Sequence, residues 1–417
     1  MLSAVKRFFS WSASPTGTAV HALGITQIVA WGTTLYALGV LGRPIVADTG
    51  WSSTLVFGGL TVGLLVAGVI STWVGRLIDQ RGAKATMTIG AVLNAVGLVA
   101  LAYSWDRVSY LGAWVLLGVS MRLTLYDAAF AALVQVTPQN GRRAISYLTL
   151  YGGFASTVFW PIGYYLNDAV GWRETCLIFA VLNIVVCGPL NWWGLARRED
   201  EAGAQSPQSQ KAQTGTDEAP LEGRARVVAM VLFSIATSAY AFIFGAASVH
   251  LVGLIETTGI AAAVAVQIAS VKGVAQVGGR LWEIVFARNM APINLARVPV
   301  WLMPIAFVVL LAIGGGIMPA LIFTVLFGAA NGLITIVRGA LPLALFGVKG
   351  YGEILGVLAT PYLLINALAP AVFAVVIDWG GYVAGQWLLL GAAIISVIAM
   401  EIMTAWYKRR APVAVAG

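Results

Sequence analysis

Long apolar stretches, one after another along the chain, limit the folds open to this sequence. Each is about 20 residues long, enough for a helix to cross the hydrocarbon core of a bilayer. A helix satisfies its own backbone hydrogen bonds in lipid, so the stretches predict an all-α membrane protein with twelve transmembrane helices. The composition agrees, since 59% of the residues are hydrophobic and only 10% are charged. The predicted helices are 18–42, 53–74, 85–104, 109–136, 144–166, 172–195, 226–254, 260–287, 294–315, 317–346, 352–377 and 383–406.

Positive charges are distributed along the chain as membrane topology requires. We assign 19 of the 25 Lys and Arg residues to the termini and the even-to-odd loops, and only Arg43, Arg107 and Arg173 to the opposite loops. Under the positive-inside rule this asymmetry predicts cytoplasmic N- and C-termini. The net charge of +8 then reflects topology and the anionic lipids of the inner leaflet. We expect membrane lipids as partners and no nucleic acid.

A polar segment divides the chain into two halves of six predicted helices. Residues in this segment are mostly Gly, Ser, Gln, Pro and charged residues, a composition typical of a flexible linker. The sequence Val74–Asp79 is echoed by Gly278–Glu283, which indicates a parallel duplication and two pseudo-symmetric bundles. The predicted parts are a cytoplasmic or interfacial stub 1–17, a bundle 18–196, a linker 197–225, a bundle 226–407 and a cytoplasmic tail 408–417.

Three cations lie deep inside the predicted helices, away from the helix ends: Arg122, Lys272 and Arg338. On insertion scales a charge at the bilayer centre costs at least about 2.5 to 3.5 kcal/mol, so such a charge usually serves a function or has a partner. Cations in these positions favour an anionic cargo.

Lys272 lies near the middle of the eighth predicted helix, with Gln276 one turn further on the same face. An ammonium beside an amide can hold a carboxylate through charge-assisted hydrogen bonds. The alternatives are that Lys272 only pairs with Glu256 or Asp127, or that its side chain extends to the membrane interface.

Arg122 lies near the centre of the fourth predicted helix, and Tyr126 follows it on the same face. A guanidinium and a phenol can converge on one oxyanion. In a continuous helix Asp127 would lie about 140° around from Arg122, so we do not expect the two to pair closely. The alternative role for Arg122 is to bind helix-end carbonyls of another segment.

Arg338 occupies the place in the tenth predicted helix that Asp127 occupies in the fourth, when the stretches at Gly118 and Gly328 are aligned as repeats. Opposite charges at related positions predict a pair that closes the cytoplasmic side in one state. A neighbouring cation lowers the pKa of a carboxyl and burial raises it, so Asp127 is also the predicted proton-coupling site. A permanent structural ion pair is the alternative.

Other polar and aromatic side chains at helical spacing complete the predicted cavity, although each such residue is more often packing than ligand. With the residues already named, the predicted substrate-binding set contains Arg122, Lys272, Gln276, Tyr126, Arg338, Gln27, Trp31, Tyr151, Tyr362 and Asn366.

A carboxylate at the cytoplasmic end of the second predicted helix suggests a gate. Asp79 can cap the N-terminus of a neighbouring helix, or it can bond to Arg142 or Arg143 of the next cytoplasmic loop. The full predicted gating set is Asp79, Arg76, Arg81, Arg142, Arg143, Asp127 and Arg338.

The decapeptide Gly75–Lys84 has a recognisable pattern, GRLIDQRGAK. It resembles the loop between helices 2 and 3 of the major facilitator superfamily, with Gln80 and Ala83 in place of two usual cations. Six plus six helices and a central linker fit the same family. The resemblance implies alternating access of two halves around a site near the middle of the membrane.

Three short motifs are similar to those of the monocarboxylate, oxalate/formate and cyanate porter-like branches: Gly50–Ser52, Gly171–Arg173 and Arg142–Ala144. In these branches a cation in helix 8 commonly binds the organic anion. Two departures argue against multidrug efflux: Trp114 stands where the helix-4 arginine would fall, and only Trp160–Gly163 remains of the helix-5 proline motif.

Two classes of function remain open. The first is a secondary transporter, and not an enzyme, that moves a small organic anion, a monocarboxylate above all, with coupling to protons; its alternative is a proton-driven efflux antiporter for neutral or cationic compounds. The second is a membrane receptor or enzyme, but metal-spaced cysteines and paired carboxylates do not occur in the sequence. We expect no cofactor, no metal, a monomer, and a plasma membrane such as the bacterial inner membrane.

Overall fold

The computed structural model describes residues 12, 14–198, 220–312 and 315–410. Most of the predicted stub 1–17, most of the linker 197–225, and residues 411–417 of the predicted tail lie outside this part of the chain. Within the described ranges the regular structure is helical throughout. The chain is an all-helical integral membrane protein with multiple spans, as the apolar stretches predict.

Twelve helices, α1 to α12, follow one another over the described ranges. In order, they are Pro15–Thr49, Ser53–Val69 continued by Ser71–Arg81, Ala83–Ala102, Arg107–Val136, Gly141–Gly153 continued by Ala155–Val170, Trp172–Gly194, Gly223–Glu256, Ala262–Ala287, Pro292–Ala312, Ile317–Phe346, 351–380 and 382–410. The last two form one long element whose path turns at Gly381, where φ is 69°. Glycine suits this position because a side chain is disfavoured at positive φ.

Several helices are interrupted inside the membrane-spanning range. The two parts of α2 meet at Ile70 with a bend of 55°. In α4 the backbone leaves helical geometry at Leu125, where ψ is −171°. In α5 the break falls at Phe154. Such breaks are tolerated where neighbouring side chains bind the exposed backbone groups.

Contacts along the chain group the residues into two compact units. The first contains the described residues of Met1–Ser209 together with Val348–Ala367. The second contains those of Gln210–Gly347 together with Leu368–Gly417. The beginning of α11 therefore packs with α1 to α6, a grouping that the division of the sequence at the linker does not predict.

In the first unit, α2 and α4 approach closely. A Cβ on Gly118 would collide with the carbonyl of Gly63, and Trp114 packs its ring on Gly59. In the same unit, a buried hydrogen bond joins α6 to α1: the Asn183 side-chain amide donates to the Thr33 hydroxyl at 3.0 Å. Small residues at such crossings let membrane helices pack by their backbones.

In the second unit, α8 and α10 make the corresponding close contact. A Cβ on Gly328 would lie 2.5 Å from the carbonyl oxygen of Lys272, and one on Gly332 would collide with the carbonyl of Gln276. The backbone around the predicted binding residues Lys272 and Gln276 is therefore held directly against α10.

Candidate functional site

The first unit places Arg122 and Asp127 together. Arg122 is only 3% exposed, and its Nε donates to the Ser71 hydroxyl of α2. Its Nη1 lies 3.9 Å from Asp127 Oδ2. Our expectation that the two would not pair closely was wrong, because it assumed a continuous helix. The break at Leu125 rotates the second part of α4 and brings the carboxylate toward the guanidinium.

Gln27 of α1 binds the backbone at this break. Its Nε2 donates to the carbonyl of Thr124 at 2.7 Å, and its Oε1 accepts from the indole N–H of Trp31 at 3.1 Å. The carbonyl lies next to the interruption, where helical partners are lost. Gln27 and Trp31, both predicted as substrate contacts, thus form one structural unit with the broken helix.

An aromatic wall continues from Trp31. Its ring lies 5.1 Å from that of Tyr126 and 6.0 Å from that of Tyr36, centroid to centroid. Tyr126 also stacks on Phe130 at 5.3 Å, and its hydroxyl donates to the Thr149 carbonyl at 3.3 Å. The phenol of Tyr126 therefore binds α5, and its convergence with Arg122 on one oxyanion stays a prediction.

Tyr151 lies on α5 and contacts α1. Its hydroxyl is 2.6 Å from Nδ1 of His21, and its ring lies over Gly24. The next residue, Gly152, packs against the Tyr126 hydroxyl. Tyr151 and Tyr126 are thus neighbours through Gly152. His21 was missed in the sequence because a single histidine has no spacing pattern to detect.

The predicted α11 residues belong to the first unit. Tyr362 is buried, at 8% exposure. The amide oxygen of Asn366 is buried and accepts no hydrogen bond within the described residues. Its polar atom is therefore available to a ligand or to water.

The second unit holds Lys272 in an aromatic sandwich. Its ammonium lies 5.3 Å from the ring centroid of Phe244 on α7 and 5.2 Å from that of Phe327 on α10. Both distances are within the range of cation–π attraction. Among the described residues no carboxylate forms an ion pair with Lys272, and this includes Glu256, which we considered as its partner.

Arg338 is half-buried on α10, six residues after Gly332. Arg338 and Asp127 belong to different units, and their pairing stays a prediction. Gln276 is also half-buried, on the α8 surface that carries Lys272.

The predicted gate has a defined geometry at the C-terminal end of α2. Asp79 accepts backbone N–H groups of Gly352 at 3.0 Å and of Glu353 at 2.8 Å. Arg76 binds the Glu353 carboxylate at 2.8 Å. Asp79 therefore caps the first turn of α11, which is one of the two arrangements that we predicted.

Within the part of the chain that the structure describes, Asp79 binds neither Arg142 nor Arg143, the alternative partners that we considered. Arg142 is buried at 7% exposure, whereas Arg143 is exposed. The gating roles of Arg76, Arg81, Arg142 and Arg143 stay predictions.

Two further charged residues on α8, Arg280 and Glu283, are buried; the sequence predicted only that they belong to the internal repeat. Arg280 and Glu283 are each 2% exposed. Buried charges of this kind are retained only where partners satisfy them. Their burial depends on the packing of α8 against its neighbours, which one sequence does not reveal. Within the described residues no cluster of His, Cys, Asp and Glu could hold a metal ion.

Comparison with known proteins decides the family. The sequence profile described as "Major Facilitator Superfamily" matches residues 23–324 of the chain. The chain belongs to the Major Facilitator Superfamily. Members of this superfamily are secondary transporters, so this protein is a transporter of a small-molecule substrate and not an enzyme.

Solved structures of superfamily members share the fold over nearly the whole chain. The human organic anion transporter MFSD10 (TETRAN) has a TM-score of 0.68 at 15% identity, and the alignment covers 94% of this chain and 100% of that one. FucP in the outward conformation has a TM-score of 0.69 at 13% identity, covering 94% and 99%. The proton:xylose symporter XylE has 0.66 at 12%, covering 97% and 96%. At these identities the likeness shows the fold alone.

One curated relative matches in sequence. Human monocarboxylate transporter 14 is 31% identical over 147 residues, which are 34% of this chain. The alignment spans only 27% of that relative's length.

Proposed function

We propose that this superfamily transporter carries a small organic anion, a monocarboxylate in the first place, by alternating access coupled to protons. Lys272 would bind the carboxylate, assisted by Gln276. Arg122, Arg338 and the polar and aromatic residues Gln27, Trp31, Tyr126, Tyr151, Tyr362 and Asn366 would line the rest of the path.

The observation that carries the proposal is the environment of Lys272. Its ammonium faces two phenyl rings from α7 and α10, and no carboxylate among the described residues is paired with it. A cation held in apolar surroundings without an anion is costly, and cation–π contacts offset only part of that cost. A carboxylate cargo would supply the missing negative charge when it binds.

Two of the similar proteins support an anionic cargo, since one is described as an organic anion transporter and the other as a monocarboxylate transporter. These descriptions concern the relatives. The charge on Lys272 is the reason to extend them to this chain, because a neutral or cationic cargo would leave the ammonium uncompensated.

Asp127 is the proposed proton-coupling residue. At 3.9 Å its contact with Arg122 is within ion-pair range but longer than a hydrogen bond, and the carboxylate side chain is 13% exposed. The partial exposure of this carboxylate and the guanidinium beside it support the assignment. In one state of the cycle Asp127 would pair with Arg338, and Asp79 would open and close its cap on α11 in the same cycle.

The remaining assignments are part of the same proposal. The distribution of Lys and Arg supports cytoplasmic termini in a plasma membrane, with a bacterial inner membrane as the setting. We propose bundles at 18–196 and 226–407 joined by the linker 197–225, a monomer as the working form, and anionic lipids around its basic cytoplasmic loops.

The test is transport by purified protein in liposomes that contain a lumenal pH dye. Monocarboxylates, dicarboxylates and inorganic anions are added outside, and the pH change is followed for the wild type and Lys272→Gln. Lys84→Gln is a matched control, because Lys84 belongs to the first unit, where its ammonium lies over the ring of Trp192 at 3.9 Å. We expect anion-dependent proton movement that Lys272→Gln abolishes and Lys84→Gln retains.

Two results would contradict the proposal. If anions move protons equally well with Lys272→Gln, the lysine does not bind the cargo. If only neutral or cationic compounds move protons, and do so independently of Lys272, the protein is a proton-driven efflux antiporter.

A further inference from the structure

His21 lies in a chain of hydrogen bonds at the N-terminal end of α1. Its Nδ1 is 2.6 Å from the Tyr151 hydroxyl, and its Nε2 is 3.2 Å from the Ser12 hydroxyl. Both ring nitrogens are therefore bound by groups that can each donate or accept a proton. Nothing in the transport site described above uses this histidine.

The packing around the chain is well defined. The rings of His21 and Tyr151 meet edge to face with centroids 5.9 Å apart, and Tyr151 lies over Gly24, one turn further along α1. At the Ser12 end of the chain of hydrogen bonds, the Thr18 hydroxyl donates to the Ser12 carbonyl at 3.4 Å. The hydrogen-bonded groups are thus held in place on both sides of the imidazole.

We propose that Ser12, His21 and Tyr151 form a proton relay that connects the cytoplasmic surface to the interior of the first unit. The ligand of this site is a proton. The proposal rests on the proton coupling and the topology given in the proposed function, and it adds a residue, His21, to which neither assigns a role.

The direction of the relay follows from position along the helices. Ser12 precedes α1, and His21 is six residues after its first residue, or about 9 Å along the axis. Tyr151 is ten residues after the start of α5, or about 15 Å along that helix. The next residue, Gly152, packs against Tyr126, the direct neighbour of Asp127. The chain of hydrogen bonds therefore ends beside a residue of α5 that packs against the part of α4 carrying Asp127.

The proton balance is simple. In the starting tautomer Nδ1–H donates to the Tyr151 oxygen and Nε2 accepts from the Ser12 hydroxyl. A proton from water then adds to the Ser12 oxygen as the Ser12 hydroxyl proton moves to Nε2. At the other side of the ring the Nδ1 proton moves to the Tyr151 oxygen, and the phenolic proton leaves to a water molecule beyond. One proton has entered and one has left, and the return of the imidazole from the Nε2–H to the Nδ1–H tautomer resets the chain.

The groups that face His21 permit this exchange. From α5 the titratable group against it is Tyr151. From α6, Gly194 packs on Ala22 beside it, and the charged residues Arg197 and Arg198 follow beyond the end of that helix. Each ring nitrogen of His21 is thus bound by a hydroxyl that can both donate and accept, which is the geometry that a relay requires.

The experiment compares the wild type, His21→Gln and His250→Gln in the liposome assay. The internal and the external pH are each varied between 5 and 8. Glutamine retains hydrogen bonding but does not titrate. His250 is a matched control because it stacks on Phe373 and Tyr382 in the second unit. Exchange of labelled anion across the membrane at equal pH is measured in parallel.

We expect His21→Gln to lower net proton-coupled transport at least ten-fold and to remove its pH dependence, with a smaller loss of anion exchange. His250→Gln should keep the wild-type pH profile. An unchanged rate and pH profile in His21→Gln would overturn the relay. If the wild type exchanges anions without any net proton movement, proton coupling in the proposed function fails, and the relay fails with it.

A second measurement covers the case in which His21→Gln does not fold. The wild type and His250→Gln are labelled with ¹⁵N-histidine, so that the signal of His21 is identified by difference. We expect the two ring nitrogens of His21 to report exchange between both tautomers that becomes slower in Ser12→Ala. A single tautomer that is insensitive to pH and to Ser12→Ala would overturn the proposal.

Discussion

Arg122 and Asp127 face each other at 3.9 Å across a break in one membrane helix. The backbone at Leu125 is extended, so the five-residue separation no longer places the two side chains on different faces. Arg122 is also bound to Ser71 of α2, and Gln27 of α1 binds the carbonyl at the break. Side chains of α1 and α2 therefore hold both the ion pair and the interrupted backbone of α4 in place.

The first prediction concerns the stability of this pair. Removing one partner of a buried ion pair leaves the other charge uncompensated and costs about 3 kcal/mol or more. We expect Asp127→Asn and Arg122→Gln each to lower the thermal midpoint clearly. The double variant should lose less than the sum of the two, with a coupling of about 0.5 to 3 kcal/mol. Unfolding curves in detergent measure all four proteins, and strict additivity would show that the pair contributes nothing.

The second prediction concerns the cap on α11. Asp79 accepts two backbone N–H groups of its first turn, so Asp79→Asn keeps a hydrogen-bond acceptor but loses the charge that favours a helix N-terminus. We expect transport to slow several-fold, while equilibrium binding of the anion changes less than two-fold. The control is Glu353→Gln, because an exposed ion pair with Arg76 is worth only about 0 to 1 kcal/mol. Unchanged transport in Asp79→Asn would show that the cap has no role in gating.

The third prediction concerns the glycines between α8 and α10. A Cβ on Gly332 would collide with the Gln276 carbonyl, and one on Gly328 with that of Lys272, so alanine at either position forces the helices apart. Overpacking of this kind costs about 1 to 3 kcal/mol. Gly273→Ala and Gly278→Ala are matched controls on α8, because a Cβ at either position meets no atom within 4 Å. The yield of folded protein and its thermal midpoint should fall for the first pair only. Equal loss in both pairs would contradict the close-contact explanation.

The fold was predictable from the sequence because a bilayer leaves little choice. Each span needs about 20 apolar residues, and backbone hydrogen bonding then requires a helix. The predicted span 317–346 therefore has the same bounds as α10, and the span 53–74 begins with α2, which continues to Arg81. Helix breaks were not predictable, since Leu125 is an ordinary residue whose extended backbone depends on what surrounds it.

The candidate site was predictable only in part, because the neighbours of each residue depend on how the helices pack. A lysine inside an apolar stretch stands out in any sequence, so Lys272 was found directly. The rings of Phe244 and Phe327 that hold it come from helices distant along the chain, and 16 phenylalanines offer no way to choose between them. His21 and Arg280 likewise became visible only through their neighbours and burial.

The last prediction concerns the two rings around Lys272. They hold the ammonium at 5.2 and 5.3 Å from their centroids, and so fix the position of the charge that a carboxylate would meet. Each contact is worth about 0.5 to 2 kcal/mol, so Phe244→Leu and Phe327→Leu should each raise the KM for the anion about 2- to 30-fold. Phe327→Tyr keeps the aromatic face and should stay close to wild type.

Two comparisons separate this effect from a loss of packing. Phe307→Leu removes a buried ring of α9 that stacks on Phe323, and it should lower stability with little change in KM. In a Lys272→Gln background, where transport is lost, Phe327→Leu should have no further effect on equilibrium binding of the anion, because the ammonium that the ring positions is gone. If Lys272→Gln and Phe327→Leu instead weaken anion binding additively, the rings serve the packing of α7, α8 and α10 and not the cargo, and the anion must be bound elsewhere.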